Sequence, residues 1–464
     1  MNTPRVVFGT LFGHHYSDKL SGAFFVWLLM VAMPSQADHL LSTGLGLGLS
    51  SSSAMSHKTD ANLLANELSL QEAMDLALQN QPLLQSLDDA AAAAHAAAKA
   101  EGQLPDPKLK LGVINLPLNH GDTLNFNRDD MTMLNFGIMQ DMIPRQKLEA
   151  ASQKSNAEAE QYHYEQLVTA RSIQRDVALA WLAVVEAQRK TEIYQAIAND
   201  MATERQIATA KISSGGAMVG DSLRLDAELA MTNDKRIMAN RDERKARVML
   251  SRWIGVAAQR PVRPSLYTFT QTISIGAEKN EATLNQHPLL QNARQAEIVA
   301  QSDVDRAKAE RLQNWSWEVM FGKRRSNLSD MVSFQVAIDL PWDRANRQDK
   351  RTSEKLLQVE KAKKLTEDRS LELTAELANA RADLEAAEAR QAEHQTRLIP
   401  LAAARLKVTE ASYSAGKQSL TDVWEARRAV LEVELDHVSI IADAERANIQ
   451  IGYLLNDSHL FKGN

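Results

Sequence analysis

Lys211-Ile-Ser-Ser-Gly-Gly-Ala-Met-Val-Gly-Asp-Ser-Leu-Arg-Leu-Asp-Ala-Glu-Leu229 and Ser412-Tyr-Ser-Ala-Gly-Lys-Gln-Ser-Leu-Thr-Asp-Val-Trp-Glu-Ala-Arg-Arg-Ala-Val430 are the two stretches that decide the fold. In both, a helical pattern runs into Ser and Gly and restarts at an acidic residue. Gly215 aligns with Gly416 and Asp221 with Asp422, each pair 201 residues apart. Glycine stops a helix because it adopts the left-handed backbone freely, and a small polar or acidic side chain opens the next one. Each stretch therefore reads as a helix-turn-helix tip, and the chain as a tandem duplication.

Working outward from the first tip, residues 145 to 213 contain neither Gly nor Pro. Within them Ile173, Val177, Trp181 and Val184, then Ile193, Ile197 and Met201, keep the spacing of one helical face. That predicts a single helix on the order of 100 Å long at ~1.5 Å per residue, far beyond the globular norm. A return helix is expected from Asp221 to about Trp253, followed by a loop from Gly255 to Ile275. In the second half the corresponding helices are expected from about Asp343 to Ser414, broken only by Pro400, and from Thr421 to about Leu455.

Upstream of each long helix the period changes to two. Leu109, Leu111 and Val113 alternate with Lys108, Lys110 and Gly112, and Leu134, Phe136 and Ile138 alternate with Met133, Asn135 and Gly137. Trp315, Trp317, Val319 and Phe321 do the same, as do Val332, Phe334, Val336, Ile338 and Leu340. These predict four strands, at about 108–116, 131–142, 315–323 and 331–340. Before each strand pair lies a helix. Leu68-Ser-Leu-Gln-Glu72 carries a capping-box pattern at Ser69 and Glu72. Asn80-Gln-Pro-Leu-Leu-Gln85 then recurs as Asn285-Gln-His-Pro-Leu-Leu-Gln291, with Pro288 lying 206 residues after Pro82; Pro341 follows Pro144 by 197. The organisation is thus a first repeat over 67–256 with its tip at about 213–221, a linker over 257–279, a second repeat over 280–456 with its tip at about 414–422, and a tail over 457–464.

Composition narrows the partners. With 59 acidic and 53 basic residues the formal charge is -6, and no concentrated basic face is present, so nucleic acid is not an expected partner. There is no Cys, hence no disulfide and no thiol nucleophile. Arg5 and Lys19, the apolar run Gly22 to Met33 and Pro-Ser-Gln-Ala37 have the form of a secretory signal peptide over 1–37, the alternative being an uncleaved anchor. Residues 38–66 lack either period and read as a flexible leader. No other run is long and apolar enough for a membrane helix, so entry into a membrane would have to use strands. Strands of about ten residues match an outer-membrane barrel wall, but four cannot close a barrel and several chains would have to share one. Two soluble hairpins packed on helices are the plain alternative. His95 reads as a surface or packing residue rather than a metal ligand, because no second ligand lies at helical spacing. No nucleophile-base pair, phosphate loop or metal-ligand spacing points to an enzyme, and no cofactor is expected.

The order of elements, the helix lengths and the tip Tyr413-Ser-Ala-Gly416-Lys-Gln-Ser-Leu-Thr-Asp422-Val-Trp-Glu425-Ala resemble TolC-type outer-membrane efflux proteins over about Leu68 to Leu455. The resemblance implies a mainly α fold with a small β part. It also implies a homotrimer whose 12-stranded outer-membrane β-barrel continues as a periplasmic α-helical barrel. It further implies a periplasmic adaptor and an inner-membrane pump of the resistance-nodulation-division class as partners, outer-membrane lipid around the strands, and a passive conduit. Asp422 and Glu425 stand where that family places acidic residues around the constriction, although the second is an Asp in the best-known members. Asp221 and Tyr413 stand where it has an inter-helix latch, and Gln418 stands where the latch has a basic residue, so a charged latch is not implied here. Simple helix capping is the competing role for Asp221.

Leu104-Pro-Asp-Pro, Asn115-Leu-Pro-Leu, Met131-Thr-Met and Gln140-Asp-Met-Ile-Pro-Arg-Gln-Lys147 are similar to the first hairpin of the heavy-metal branch of that family. Met131, Met133, Met139 and Met142 are open to two readings, soft Cu(I) ligands or apolar packing on strands. Drug efflux, protein secretion and a periplasmic coiled-coil scaffold without a pore are the competing functions.

Overall fold

The structure, a computed structural model, describes residues 67–79, 81–118, 124–126, 129–213, 219–262 and 283–455, all within the unit His57–Asn464. The signal segment, the leader, Gly215 with the rest of the first turn, most of the linker, the tail and the side chain of Asp221 lie outside the described residues.

The first repeat runs α1 (Leu70–Leu78), α2 (Pro82–Glu101), β1 (Lys108–Ile114), β2 (Met133–Met142), α3 (Arg145–Ser213) and α4 (Val219–Ile254). The second runs α5 (Pro288–Ala309), β3 (Trp315–Lys323), β4 (Met331–Ile338), α6 (Gln348–Glu393), α7 (Ile399–Ser414) and α8 (Leu420–Leu454). The 69 residues of α3 span on the order of 100 Å. Among the described residues no helix is long and apolar enough to cross a membrane.

Several boundaries differ from the sequence reading for local reasons. β1 stops at Ile114 because Asn115 takes φ 58°, outside the strand region. Asp343, expected to open the long helix, instead lies in a turn where its carboxylate accepts from the Asn346 side chain at 3.0 Å, and α6 begins at Gln348. Pro400 does not break the helix. Residues His394–Leu398 form a π turn whose Ile399 N–H donates to His394 O, and Pro400 follows in the first turn of α7, where a missing N–H costs nothing. Nor is the segment after Gly255 all loop. Gly255–Gln259 is a 3-10 turn, and Val262 bridges Leu68, whose N–H donates to Pro261 O at 2.8 Å. The Ser69 capping box is half formed: Ser69 Oγ accepts from Glu72 N at 3.2 Å, but the Glu72 carboxylate binds Arg260 in two-point fashion at 2.6 and 3.1 Å.

Two apolar clusters hold the helices. The first gathers Leu68, Met74, Ile173, Val177, Ala180 and Trp181 with Leu250 and Ile441; the second gathers Leu290, Leu373, Leu377, Ala380, Ile451 and Leu454. Ile173, Val177 and Ala180 precede Leu373, Leu377 and Ala380 by 200 residues each, so the duplication is visible in the packing as well as in the turns. Buried His287 packs edge-on against Tyr453 of the second cluster, with ring centroids 5.2 Å apart. It caps α5 by accepting from Leu289 N through Nδ1 at 3.2 Å, and Nε2 lies 3.1 Å from Tyr453 O. Burial pushes its pKa down to about 4, so the ring is neutral and donates from Nε2.

The strands form one antiparallel sheet in the order β1-β2-β3-β4, with β2 and β3 joining the two repeats. Register puts Leu111, Phe136, Phe321 and Val332 in one row and Leu109, Ile138, Val319 and Phe334 in the next. All eight are exposed, Val332 at 72% and Phe334 at 67%. The opposite face carries Lys108, Lys110, Asn135, Glu318 and Gln335, with Lys110 paired to Glu318 at 2.5 Å and Lys108 to Asp141 at 2.7 Å.

Candidate functional site

The second tip is built by two local rules. α7 ends in a Schellman turn: Gly416 has φ +71°, its N–H donates to Tyr413 O at 2.9 Å, and Lys417 N donates to Ser412 O at 2.9 Å. α8 opens with a complete capping box in which Ser419, not Asp422, is the N-cap. Asp422 N donates to Ser419 Oγ at 3.2 Å, and Asp422 Oδ2 accepts from Ser419 N at 2.9 Å and from its hydroxyl at 2.9 Å. The Ser419 backbone bond, then its side-chain bond, hold the Asp422 carboxyl below the usual range, so it is a fixed negative charge at the tip. Tyr413 and Gln418 are exposed beside it.

Glu425, one turn further into α8, is not free. Arg224 of α4 donates to its Oε1 at 3.2 Å. Arg224 also lies 4.0 Å from Glu228, and Arg428 then links Glu228 at 3.2 Å to Glu204 of α3 at 3.0 Å. A chain of alternating charge thus crosses α3, α4 and α8 just above the tips. Glu204 is its buried member. Desolvation raises its pKa, and Arg428 opposes that shift. Beside this chain, Arg205 pairs with Asp226 at 2.5 Å, and Arg427 lies over the Trp424 ring at 5.0 Å while reaching Glu410 at 3.3 Å.

The sequence reading singled out Glu425 but not its partners Arg224, Glu228, Arg428 and Glu204. One signal was present: Arg224 lies 201 residues before Glu425, the tip offset itself, so equivalent positions of the two repeats carry opposite charges. Buried Glu204 leaves no such trace.

On the sheet, Met133 and Met139 lie on the polar face, Met142 shares the face of the apolar rows, and Met131 precedes β2. Met133 packs on Gly322, where a Cβ would sit 2.6 Å from its Sδ; Met320 packs in the same way on Gly137. His95 Nδ1 lies 3.1 Å from Asn156 Oδ1 of α3. Among the described residues no group of three or more His, Cys, Asp or Glu gathers as a metal site.

Residues 281–457 match the family model described as outer membrane efflux protein. Curated proteins give no match. Among solved structures, a membrane protein from Pseudomonas aeruginosa superposes with TM-score 0.71 at 15% identity, covering 85% of this chain and 94% of that one. CusC gives 0.70 at 15%, covering 84% and 93%. The Campylobacter jejuni CmeC outer membrane channel gives 0.70 at 13%, covering 83% and 85%. At such identities the likeness is one of fold: a mostly helical chain with a small antiparallel sheet, as in the TolC-like channels. The family match thus falls on the second repeat, and the superpositions extend the likeness of fold to the first.

Proposed function

We propose that the chain is an outer-membrane efflux protein that works as a homotrimeric exit duct, with no chemistry of its own, for heavy-metal cations. It would be served by a periplasmic adaptor and an inner-membrane pump of the resistance-nodulation-division class. The observation that carries the duct reading is the sheet. One face is apolar and exposed across all four strands, the other carries the polar side chains, and among the described residues β1 and β4 end the sheet without a partner strand. In lipid an open edge leaves backbone groups unsatisfied, so β4 of one copy must pair with β1 of the next until the wall closes. Three copies supply a barrel with an apolar exterior and a polar lumen.

The metal cargo rests on the likeness of the first hairpin to the heavy-metal branch and on the fixed acidic charge at each second tip, which favours cations in a narrow entrance. Two measurements test the proposal. A heat-resistant trimer should fractionate with the outer membrane; a trimer found only in the periplasm would support a scaffold instead. A deletion strain should lose tolerance to metal salts and keep its tolerance to antibiotics; the reverse pattern would make the cargo organic.

A further inference from the structure

The junction between β4 and α6 differs from its counterpart one repeat earlier. Val332, Phe334, Val336, Ile338 and Leu340 carry the apolar face of the sheet, and Trp342 keeps their parity two residues beyond. Its side chain is 94% exposed, after Leu340 at 70%. Trp315, the partner of Ile338 in the neighbouring strand, is also exposed at this end of the face. Three cations follow the indole. Arg344, Arg347 and Lys350 are exposed, and none has an ion pair or a side-chain hydrogen bond among the described residues. The acids between them are engaged elsewhere: Asp343 accepts from the Asn346 side chain at 3.0 and 3.1 Å, and Asp349 holds Arg311 at 2.9 Å.

After β2, 197 residues earlier, Pro144 stands where Pro341 does and Arg145 where Trp342 does. There the cations are used inside the chain. Arg145 binds Glu149 at 2.7 Å, and Lys147, the counterpart of Arg344, lies 3.6 Å from Glu310 and donates to Asn314 at 2.9 Å. A strand-to-helix turn of this kind therefore does not require free cations. With the sheet in the outer membrane, the β4 junction lies at the periplasmic surface of the bilayer, where a tryptophan ring settles at headgroup level. The polar layer of a leaflet is roughly 5–8 Å deep. Arg344 to Lys350 rise only ~9 Å at ~1.5 Å per residue, and long cationic side chains reach back toward that layer. Clustered Lys and Arg beside a membrane favour anionic lipids, because a headgroup with net negative charge gains more from them than a zwitterionic one.

We propose that Trp342, Arg344, Arg347 and Lys350 form an anchor for an anionic phospholipid of the phosphatidylglycerol type in the periplasmic leaflet, one per chain. The indole sets the depth of the chain in the bilayer, and the cations select the headgroup phosphate. The anchor rests on the outer-membrane placement proposed above and is independent of what the duct exports.

The full-length trimer, reconstituted in nanodiscs of equal phosphatidylglycerol and phosphatidylethanolamine and released for native mass spectrometry, should retain phosphatidylglycerol in preference. Arg344→Gln combined with Arg347→Gln and Lys350→Gln should lower that preference by ~5-fold for each cation removed. Arg241→Gln, Arg244→Gln and Lys245→Gln together remove the same charge from exposed positions of α4 and should leave it unchanged. Trp342→Leu should reduce the quenching of tryptophan fluorescence by lipids brominated near the headgroup. Equal retention of the two lipids by the parent, a readout that needs no variant to fold, overturns the anchor. So does an equal loss in the two triple variants, or quenching that Trp342→Leu leaves unchanged. Release of the lipid by excess inorganic phosphate would make the ligand a free anion, and dissociation of the first triple variant in lipid-free detergent would assign the cations to a carboxylate of the next copy; either result also overturns it. Conductance in planar bilayers tests the duct separately. A parent that conducts without lipid preference sinks the anchor alone, and one that never inserts sinks the placement of the sheet.

Discussion

Arg224 and Glu425 occupy equivalent positions of the two repeats and are bonded to each other at 3.2 Å. The duplication has thus placed opposite charges at matching sites and used them to join the first hairpin to the second. Because both side chains are about half exposed, the bond is worth only ~0.2–1 kcal/mol. Such a bond biases how the two hairpins pack at their tips without locking them.

Arg224→Glu should therefore raise the open fraction of single channels in planar bilayers, by roughly 1.5- to 5-fold per chain. The swap Arg224→Glu with Glu425→Arg should bring it back. A swapped channel as open as the single variant would mean that the two residues do not hold the helices together.

The pair one turn above behaves differently because Glu204 is buried. Arg428→Ala strands that carboxylate, and loss of one partner from a buried pair costs about 3–5 kcal/mol. Denaturant midpoints should fall accordingly. Glu204→Gln with Arg428→Gln should recover most of the loss, since the cost lies in an unpaired charge rather than in a missing bond.

Asp422 combines a capping bond with a fixed charge, and the two roles separate by substitution. Asp422→Ala with Glu425→Ala should lower cation over anion selectivity in planar bilayers. Ser419→Ala should weaken the start of α8 by about 1 kcal/mol and leave selectivity in place. Equal selectivity in both variants and in the parent would remove the acidic ring from the account of the entrance.

His287 makes the second cluster sensitive to acid. Its folded pKa, about 4, lies below the unfolded value near 6.5, so the unfolded chain binds the proton first as pH falls. The contribution is complete above about pH 6.5 and is lost down to about pH 4, a change of roughly 3 kcal/mol. His287→Asn can still cap α5 but cannot titrate. Its stability should be flat across that window, as measured by unfolding midpoints at a series of pH values.

The two faces of the sheet should respond oppositely to charge. Phe334→Lys, on the apolar side, should cost ~2–4 kcal/mol near the membrane midplane and reduce the outer-membrane fraction of the protein. Gln335→Lys, its neighbour on the polar side, should insert normally. Equal insertion of the two would invert the assignment of lumen and lipid.

The sequence carried the elements well because each has its own period. The alternation from Val332 and the unbroken spacing from Ile173 to Met201 survive packing detail, although β4, expected to reach residue 340, ends at Ile338. The Gly416 turn was nearly as plain, but the start of the next helix was misplaced: Ser419 is the cap, and Asp422, read as the opener, is the third helical residue. Contacts between elements left weaker traces. Which acid meets Arg428, or that His287 rather than a glutamine seals the second cluster, depends on how helices far apart in sequence rotate about their axes. Pro400 misled for a related reason. A proline is a break only if the helix has no other way to settle its carbonyls, and the π turn provides one.

The unpaired outer strands have a genetic consequence. If three copies complete one barrel wall, as proposed, a copy whose β1 or β4 cannot zip spoils the two good copies beside it. Co-expressing such a chain with the wild type would poison most assemblies, since only about one in eight would escape when the two are made equally and mix at random in threes. Edge damage in this protein should therefore behave as a dominant trait, whereas damage at the tips, which each copy carries whole, should be diluted in proportion.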